Sequence, residues 1–123
     1  MQKIMTKYNN KKIQAFNRTW DSKMEYHYYL YLLELKEQGE ILDIELQPVF
    51  ILQESFTYKN KKIRPITYKA DFKVKYEDGH IEIIDVKGFC TSDFKIKFKM
   101  AKYKYPELDF RCVKKKGKEW IEV

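Results

Sequence analysis

The stretch TYKADFKVKYEDGHIEIIDVKG, residues 67–88, decides the reading of this chain. Residues 67–76 and 80–88 read as two strands joined by Glu77-Asp78-Gly79, a strong hairpin signal. Ile81, Ile83, Ile84 and Val86 mark the second strand as buried, yet Asp85 and Lys87 are set into it. Burying an unpaired charge is costly, so something must compensate. The expected compensation is a divalent cation and a phosphodiester.

The turn admits two registers. With a three-residue turn, Gly79 takes the left-handed position, Tyr76 faces His80, and Asp71 faces Asp85 on one side of the sheet. With a two-residue Asp-Gly turn, Val74 faces Ile83 and Tyr76 faces Ile81, but Asp71 points away from Asp85. Hydrophobic pairing favours the second register and convergence of the carboxylates requires the first. A β-bulge between Asp71 and Tyr76 is the expected reconciliation, because bulges re-aim side chains beside active sites.

Asp85 and Lys87 project from one face, since strand side chains alternate with period two. Two carboxylates held close repel unless a cation sits between them. Hard oxygen donors suit Mg²⁺ or Mn²⁺, and the carbonyl of Val86 is a natural further ligand. Such a metal acidifies its water for attack on phosphorus, and Lys87 stands ready to orient that water or offset phosphate charge. An Asp-x-Lys on an exposed strand usually means a solvated face. Here the strand is apolar, an acid lies on its hairpin partner, and Gly88 follows, which permits close approach of a ligand.

Working outward, residues 22–38 read as a helix capped by Asp21 or Ser22 and ended by Gly39. It is apolar nearly all round, so packing on more than one side is expected. Glu25 shares its inner face with Tyr28, Tyr29 and Leu32 and is a candidate metal ligand. Residues 41–53 read as one strand, with Pro48 marking an edge or bulge. Residues 56–66 read as a hairpin excursion around Lys59–Lys62. After residue 88, Ser92 caps a helix running to about Tyr105, and strands follow at 108–113 and 118–123. The order α-β-β-β-α-β implies an α/β (α+β) domain spanning residues 1–123, with a mixed central sheet flanked by helices.

Charge is unevenly spread over the 123 residues. The net charge is +7, and residues 87–118 carry 11 Lys/Arg against Asp93, Glu107 and Asp109. Residues 1–20 hold five basic residues and no acid, and read as a basic N-terminal arm that either orders on DNA or packs on the sheet. Residues 21–54 are net acidic. This polarity resembles a phosphate-tracking surface beside an acidic pocket. Lys95, Lys97 and Lys99 are expected as phosphate contacts, the alternative being solvated lysines on a buried helix, whose core face is Phe94, Phe98, Ala101 and Tyr105, with Ile96, Met100 and Tyr103 as a second. Cys90 and Cys112 lack metal-ligand spacing and are expected as reduced thiols in a cytoplasmic protein. No stretch is long and apolar enough for a membrane span.

A helix acid, then D…(D/E)-x-K across a hairpin, then a basic helix, resembles the PD-(D/E)XK nuclease superfamily, whose restriction-endonuclease-like αβββαβ core has the element order above. The segments KYNNKK (7–12), WDSKMEYHYYLYL (20–32), LQPVF (46–50), YKADF (68–72), DGHIEIIDVKG (78–88) and TSDFKIKFK (91–99) resemble a family of small phage-encoded proteins within it, known as a domain of unknown function. The resemblance implies a catalytic set of Glu25, Asp71, Asp85 and Lys87, with Lys97 as the helix lysine. It implies a Mg²⁺- or Mn²⁺-dependent endonuclease similar to phage junction-resolving enzymes, a homodimer acting on branched DNA in the host cytoplasm. Ala70 stands where the superfamily name has Pro, and Asp85 replaces the commoner Glu. The competing expectation is a non-catalytic nucleic-acid-binding module that keeps the fold.

Overall fold

The computed structural model describes residues 3–5, 11–15, 18–20 and 22–123. Near the N-terminus, β1 (Lys3–Met5), β2 (Lys11–Ala15) and β3 (Arg18–Trp20) form an antiparallel sheet in the order β1-β2-β3. Trp20 is fully buried, its indole N–H donates to the Ala15 carbonyl at 3.0 Å, and its ring meets Tyr26, Tyr29 and Phe72.

Helix α1 (Lys23–Glu37) starts where Ser22 Oγ accepts from the Glu25 N–H at 3.0 Å. It stops at Gly39, whose φ of +86° lets the Glu40 N–H reach back to the Leu35 carbonyl, a glycine-dependent C-terminal motif. Its inner face is Glu25, Tyr28 and Leu32, while Leu30 and Tyr31 stay exposed. The helix touches both the main sheet and the N-terminal sheet, with Met24, Tyr26, Tyr29 and Leu35 partly buried beside the inner face, as expected of packing on more than one side. The apolar residues on its outer face are not core.

The strand expected over 41–53 is two strands, β4 (Ile41–Leu46) and β5 (Val49–Gln53). The one expected over 67–76 is likewise two, β8 (Ile66–Lys69) and β9 (Phe72–Tyr76). Between them β6 (Phe56–Tyr58) and β7 (Lys61–Ile63) form a hairpin. Both breaks fall at one corner. Gln47 takes a left-handed φ of +53°, its N–H donates to the Asp71 carbonyl at 2.9 Å, and the Ala70 N–H donates to the Pro48 carbonyl at 3.0 Å. Proline cannot continue a central ladder, so the β4/β9 ribbon bends here and continues as the separate pair β5/β8.

The main sheet has the order β12-β11-β10-β9-β4, with β10 (Ile81–Val86) at its centre. β10 runs antiparallel to β9 and parallel to β11 (Asp109–Lys116), and β12 (Glu119–Glu122) closes the edge. The fold is thus mixed α+β, with the order α-β-β-β-α-β in its core. On one face Trp20, Tyr28, Leu32, Phe72, Val74, Ile84 and Val86 pack with α1. On the other, α2 (Ser92–Lys104) lays Phe94 and Ala101 over Ile83, Phe110 and Cys112, and also over Phe50, Leu52, Tyr68 and Ala70 of the bent ribbon. Each large apolar side chain so buried contributes about 2 kcal/mol. The cap of α2 is Thr91, one residue before the expected Ser92, with Oγ1 accepting from the Phe94 N–H. Ile96 and Tyr103, expected as a second core face, are exposed because α2 rests on the sheet along one side only.

The register of the β9–β10 hairpin is that of the three-residue turn. Ile81 lies opposite Lys75 and Ile84 opposite Phe72, the Tyr76 N–H donates to the His80 carbonyl, and Gly79 has φ +97°. The bulge expected between Asp71 and Tyr76 is absent from this pairing. Irregularities sit instead between Ile41 and Asp43 on β4, and between Ile51 and Gln53 on β5. No bulge is needed because the pairing this register imposes, Val74 against Glu82, is tolerated: the Glu82 carboxylate has its own partners.

Candidate active site

Asp71 and Asp85 meet at the corner where the ribbon leaves the sheet. Continuing the observed register by one pair from Phe72–Ile84 sets Asp71 opposite Asp85. The Asp71 N–H donates to the Ile84 carbonyl at 3.2 Å. Beyond this point β8 pairs with β5, so the Val86 N–H has no strand beside it and donates to Asp71 Oδ2 at 2.8 Å. Within a strand, N–H and C=O of one residue leave on the same edge. The Val86 carbonyl therefore opens onto the edge that Asp71 occupies.

Asp85 is 1% exposed. Its Oδ2 accepts a hydrogen bond from the Tyr68 hydroxyl, and its Oδ1 lies 3.5 Å from Lys87 Nζ. Burial pushes the Asp85 carboxyl up to about 6, outweighing the pull of Lys87 in the other direction. The protein's own partners thus leave the ionised form under-stabilised, and added positive charge at this point favours it. Lys87 stands at the rim, its side chain 35% exposed, with Nζ 4.9 Å from the centre of the Phe94 ring. That contact ties the lysine to the first turn of α2.

Tyr68 is the site residue that sequence reasoning missed. It lies inside the quoted YKADF stretch, but nothing in its spacing shows that the bent ribbon will bring its hydroxyl to Asp85. Glu25 is buried on α1, as expected, but α1 covers the face carrying Ile84 and Val86, whereas Asp85 projects from the other. Among the described residues, no group of three or more His, Cys, Asp or Glu is arranged to hold a metal ion. Glu25 therefore does not complete a three-acid cluster with Asp71 and Asp85. The first turn of α1 does approach the end of β10: Met24 Cε would lie 3.7 Å from a Cβ on Gly88. That is ordinary contact, so no crowding within the chain demands the glycine.

Of the expected phosphate contacts, Lys95 and Lys99 are exposed, and Lys97 Nζ is 3.7 Å from Asp93 Oδ2 one turn earlier on α2. Lys97 lies three residues after Phe94, hence on the neighbouring stretch of helix surface. Cys90 and Cys112 are free thiols with Sγ atoms 3.9 Å apart. Burial pushes the Cys112 thiol up to about 12, which keeps it protonated and unreactive. An open groove of about 620 Å³ lies between α1 and the β11–β12 edge, lined by His27, Leu30, Tyr31, Lys115, Glu119 and Trp120. It contains none of the residues named above for chemistry. No described helix is long and apolar enough to cross a membrane.

The chain belongs to the DUF1064 family, described as a protein of unknown function, whose model matches residues 5–119. No curated protein and no solved structure shows significant similarity to it.

Proposed function

We propose that this member of the DUF1064 family is a metal-dependent DNA endonuclease that hydrolyses phosphodiester bonds. The observation that carries the reading is the meeting of Asp71 and Asp85 where β8 leaves β10, with the Lys87 ammonium 3.5 Å from Asp85. The donor set fits Mg²⁺ or Mn²⁺: these ions take one or two carboxylates, keep several waters and share substrate phosphates. Asp71, Asp85 and the Val86 carbonyl would hold the ion, and the under-stabilised charge of Asp85 is what it would balance. When bound, such an ion supplies Lewis-acid stabilisation and a more acidic water.

The chain's own residues have separable tasks. Asp71 holds the Val86 N–H and so fixes the edge on which the Val86 carbonyl opens. Tyr68 orients the Asp85 carboxylate through one oxygen and leaves the other toward Lys87. Lys87, packed against Phe94, presents its ammonium to the phosphate where negative charge builds. Glu25, buried on the first turn of α1, stands on the other face of the sheet from Asp85 and has no part in this scheme. Lys95, Lys97 and Lys99 offer point charges to the flanking phosphates. A junction-resolving role, with two symmetric cuts, calls for a homodimer with two-fold symmetry.

The second reading is a binding module without chemistry. What favours it is that Asp85 already has a tyrosine and a lysine as partners and that no three-acid cluster forms. Linear, nicked, flapped and four-way DNA incubated with Mg²⁺ or Mn²⁺ separates the two. Cleavage by the wild type, with Lys87→Ala and Asp85→Asn binding normally but cutting nothing, supports the nuclease. Binding with no cleavage of any substrate supports the module.

A further inference from the structure

The outer end of the bent ribbon has no part in the core. Residues 53–66 are all exposed except Ile63, which is half-buried. Among the described residues, β6 and β7 hydrogen-bond to each other and to no other strand. An isolated two-stranded hairpin is marginal in water, so a chain that projects one without packing it has a use for its surface. That surface is specific in composition. Residues 53–66 carry Lys59, Lys61, Lys62 and Arg64 against a single acid, Glu54, at the root of the hairpin. The turn places Lys59 and Asn60 at φ +48° and +66°. Asparagine tolerates this and glycine prefers it, but lysine does not. A cation thus stands at the tip despite the backbone.

Cross-strand pairing sorts the side chains. Phe56 faces Ile63 and Tyr58 faces Lys61 on one side, and Thr57 faces Lys62 on the other. Phe56 is 46% and Tyr58 59% exposed, with Lys59 Nζ 5.4 Å from the Tyr58 ring centre. Four cations interleaved with two open rings match a polyanion that also has flat apolar faces, which is the chemistry of nucleic acid. The major groove of a duplex admits a two-stranded β-ribbon. The ribbon is rooted at the candidate active site, because Tyr68 on β8 holds Asp85. From Tyr68 to the tip at Asn60 is eight residues, at most about 26 Å at about 3.3 Å per residue. That reach covers roughly eight base pairs at about 3.4 Å each.

We propose that the hairpin of residues 53–66 is a DNA-gripping arm that holds the duplex flanking the cut. Lys59, Lys61, Lys62 and Arg64 contact phosphates, and Phe56 and Tyr58 lie against the sugar and base faces of the groove. The proposal rests on the nuclease reading for the identity of the substrate and not for the chemistry, so the two can fail separately.

The test compares the wild type with the fourfold variant Lys59→Ser, Lys61→Ser, Lys62→Ser, Arg64→Ser and with the corresponding Lys→Arg triple variant. Binding to a duplex and to a four-way junction is measured across rising salt, together with cleavage at saturating DNA, thermal melting and oligomeric state without DNA. The fourfold variant is expected to melt as the wild type does and to bind at least about tenfold more weakly. Its log K against log salt should be shallower by about 3.6 on the duplex. Cleavage at saturation should change by less than about threefold, and the arginine variant should bind as the wild type does. Unchanged affinity and salt slope overturn the proposal. So does a changed oligomeric state without DNA, which makes the hairpin a contact with a second copy. A wild type that binds DNA without cutting any substrate sinks the nuclease reading, while the fourfold variant still decides the arm. A wild type that binds no DNA sinks both.

Discussion

Two buried acids lie three residues apart on β10, on opposite faces of the sheet, and the protein treats them differently. Glu82 faces α1. It accepts from the Tyr76 hydroxyl at 2.6 Å, pairs with Arg111 Nε at 3.1 Å, and has His80 Nε2 at 3.8 Å. Arg111 in turn reaches Asp109 and Glu122. Asp85 faces α2 and has Tyr68, a half-exposed lysine, and a second acid opposite it. The contrast teaches that burial of a charge does not by itself mark a site. A carboxylate enclosed by matched donors is structural, whereas one facing another carboxylate at a gap in the sheet has capacity left for a ligand.

The largest expected effect breaks the comparison on the Asp85 side. Asp85→Asn or Lys87→Ala should lower single-turnover cleavage by at least about a thousandfold, roughly 4 kcal/mol of barrier, while melting temperature and DNA affinity hold. If Asp85→Asn cuts normally, the two acids are alike and both are structural. Glu82→Gln should do the reverse. It should cost about 2 kcal/mol in denaturant unfolding and leave cleavage per folded molecule unchanged.

A divalent cation sharpens the difference without requiring activity. Mn²⁺ at about a hundred times its dissociation constant should stabilise the wild type by about 2.7 kcal/mol, seen as a rise in melting temperature. The rise should vanish in Asp85→Asn and persist in Glu82→Gln. Tyr68→Phe removes one donor from Asp85, and in metal-free protein about 1 kcal/mol of stability should go with it.

The smallest effect belongs to the hairpin turn beside Glu82. A side-chain hydrogen bond to Asp78 raises the His80 pKa above its ordinary value, with a smaller contribution from the Glu82 charge. A group whose folded pKa is raised stabilises the fold below its unfolded value and loses that contribution as pH rises through the folded one. Wild type should therefore exceed His80→Gln in melting temperature at acidic pH, and the gap should close as pH rises past the folded value. The imidazole is exposed, so added salt should shrink the gap further.

Much of the fold was legible because its signals are local. Ser22 and Gly39 bound α1, Glu77-Asp78-Gly79 sets the turn, and Lys59–Lys62 marks the outer hairpin, all through residues within one turn of each other. Legibility failed where a strand changes partner. Residues 41–53 and 67–76 look continuous, since Gln47-Pro48 and Ala70-Asp71 interrupt neither run of apolar residues strongly. Only when the two breaks stack into one corner does β8 separate from β10. The candidate site followed the same division. Asp71, Asp85 and Lys87 stand out by residue type within an apolar hairpin, whereas Tyr68 and the partners of Glu82 depend on contacts across strands. The expected outer core face of α2 failed for a related reason, as sequence shows which helix positions are apolar but not how many sides will be covered.

The order of elements, their caps and turns, and the presence of two acids and a lysine in an apolar hairpin came from the chain alone, because each depends on side chains a few residues apart. The tertiary structure chose the register that sets Asp71 against Asp85, bent the ribbon that delivers Tyr68, and kept Glu25 on the far face. Those outcomes depend on which strands exchange hydrogen bonds over long separations, where the gain in packing and paired backbone groups outweighs any local preference.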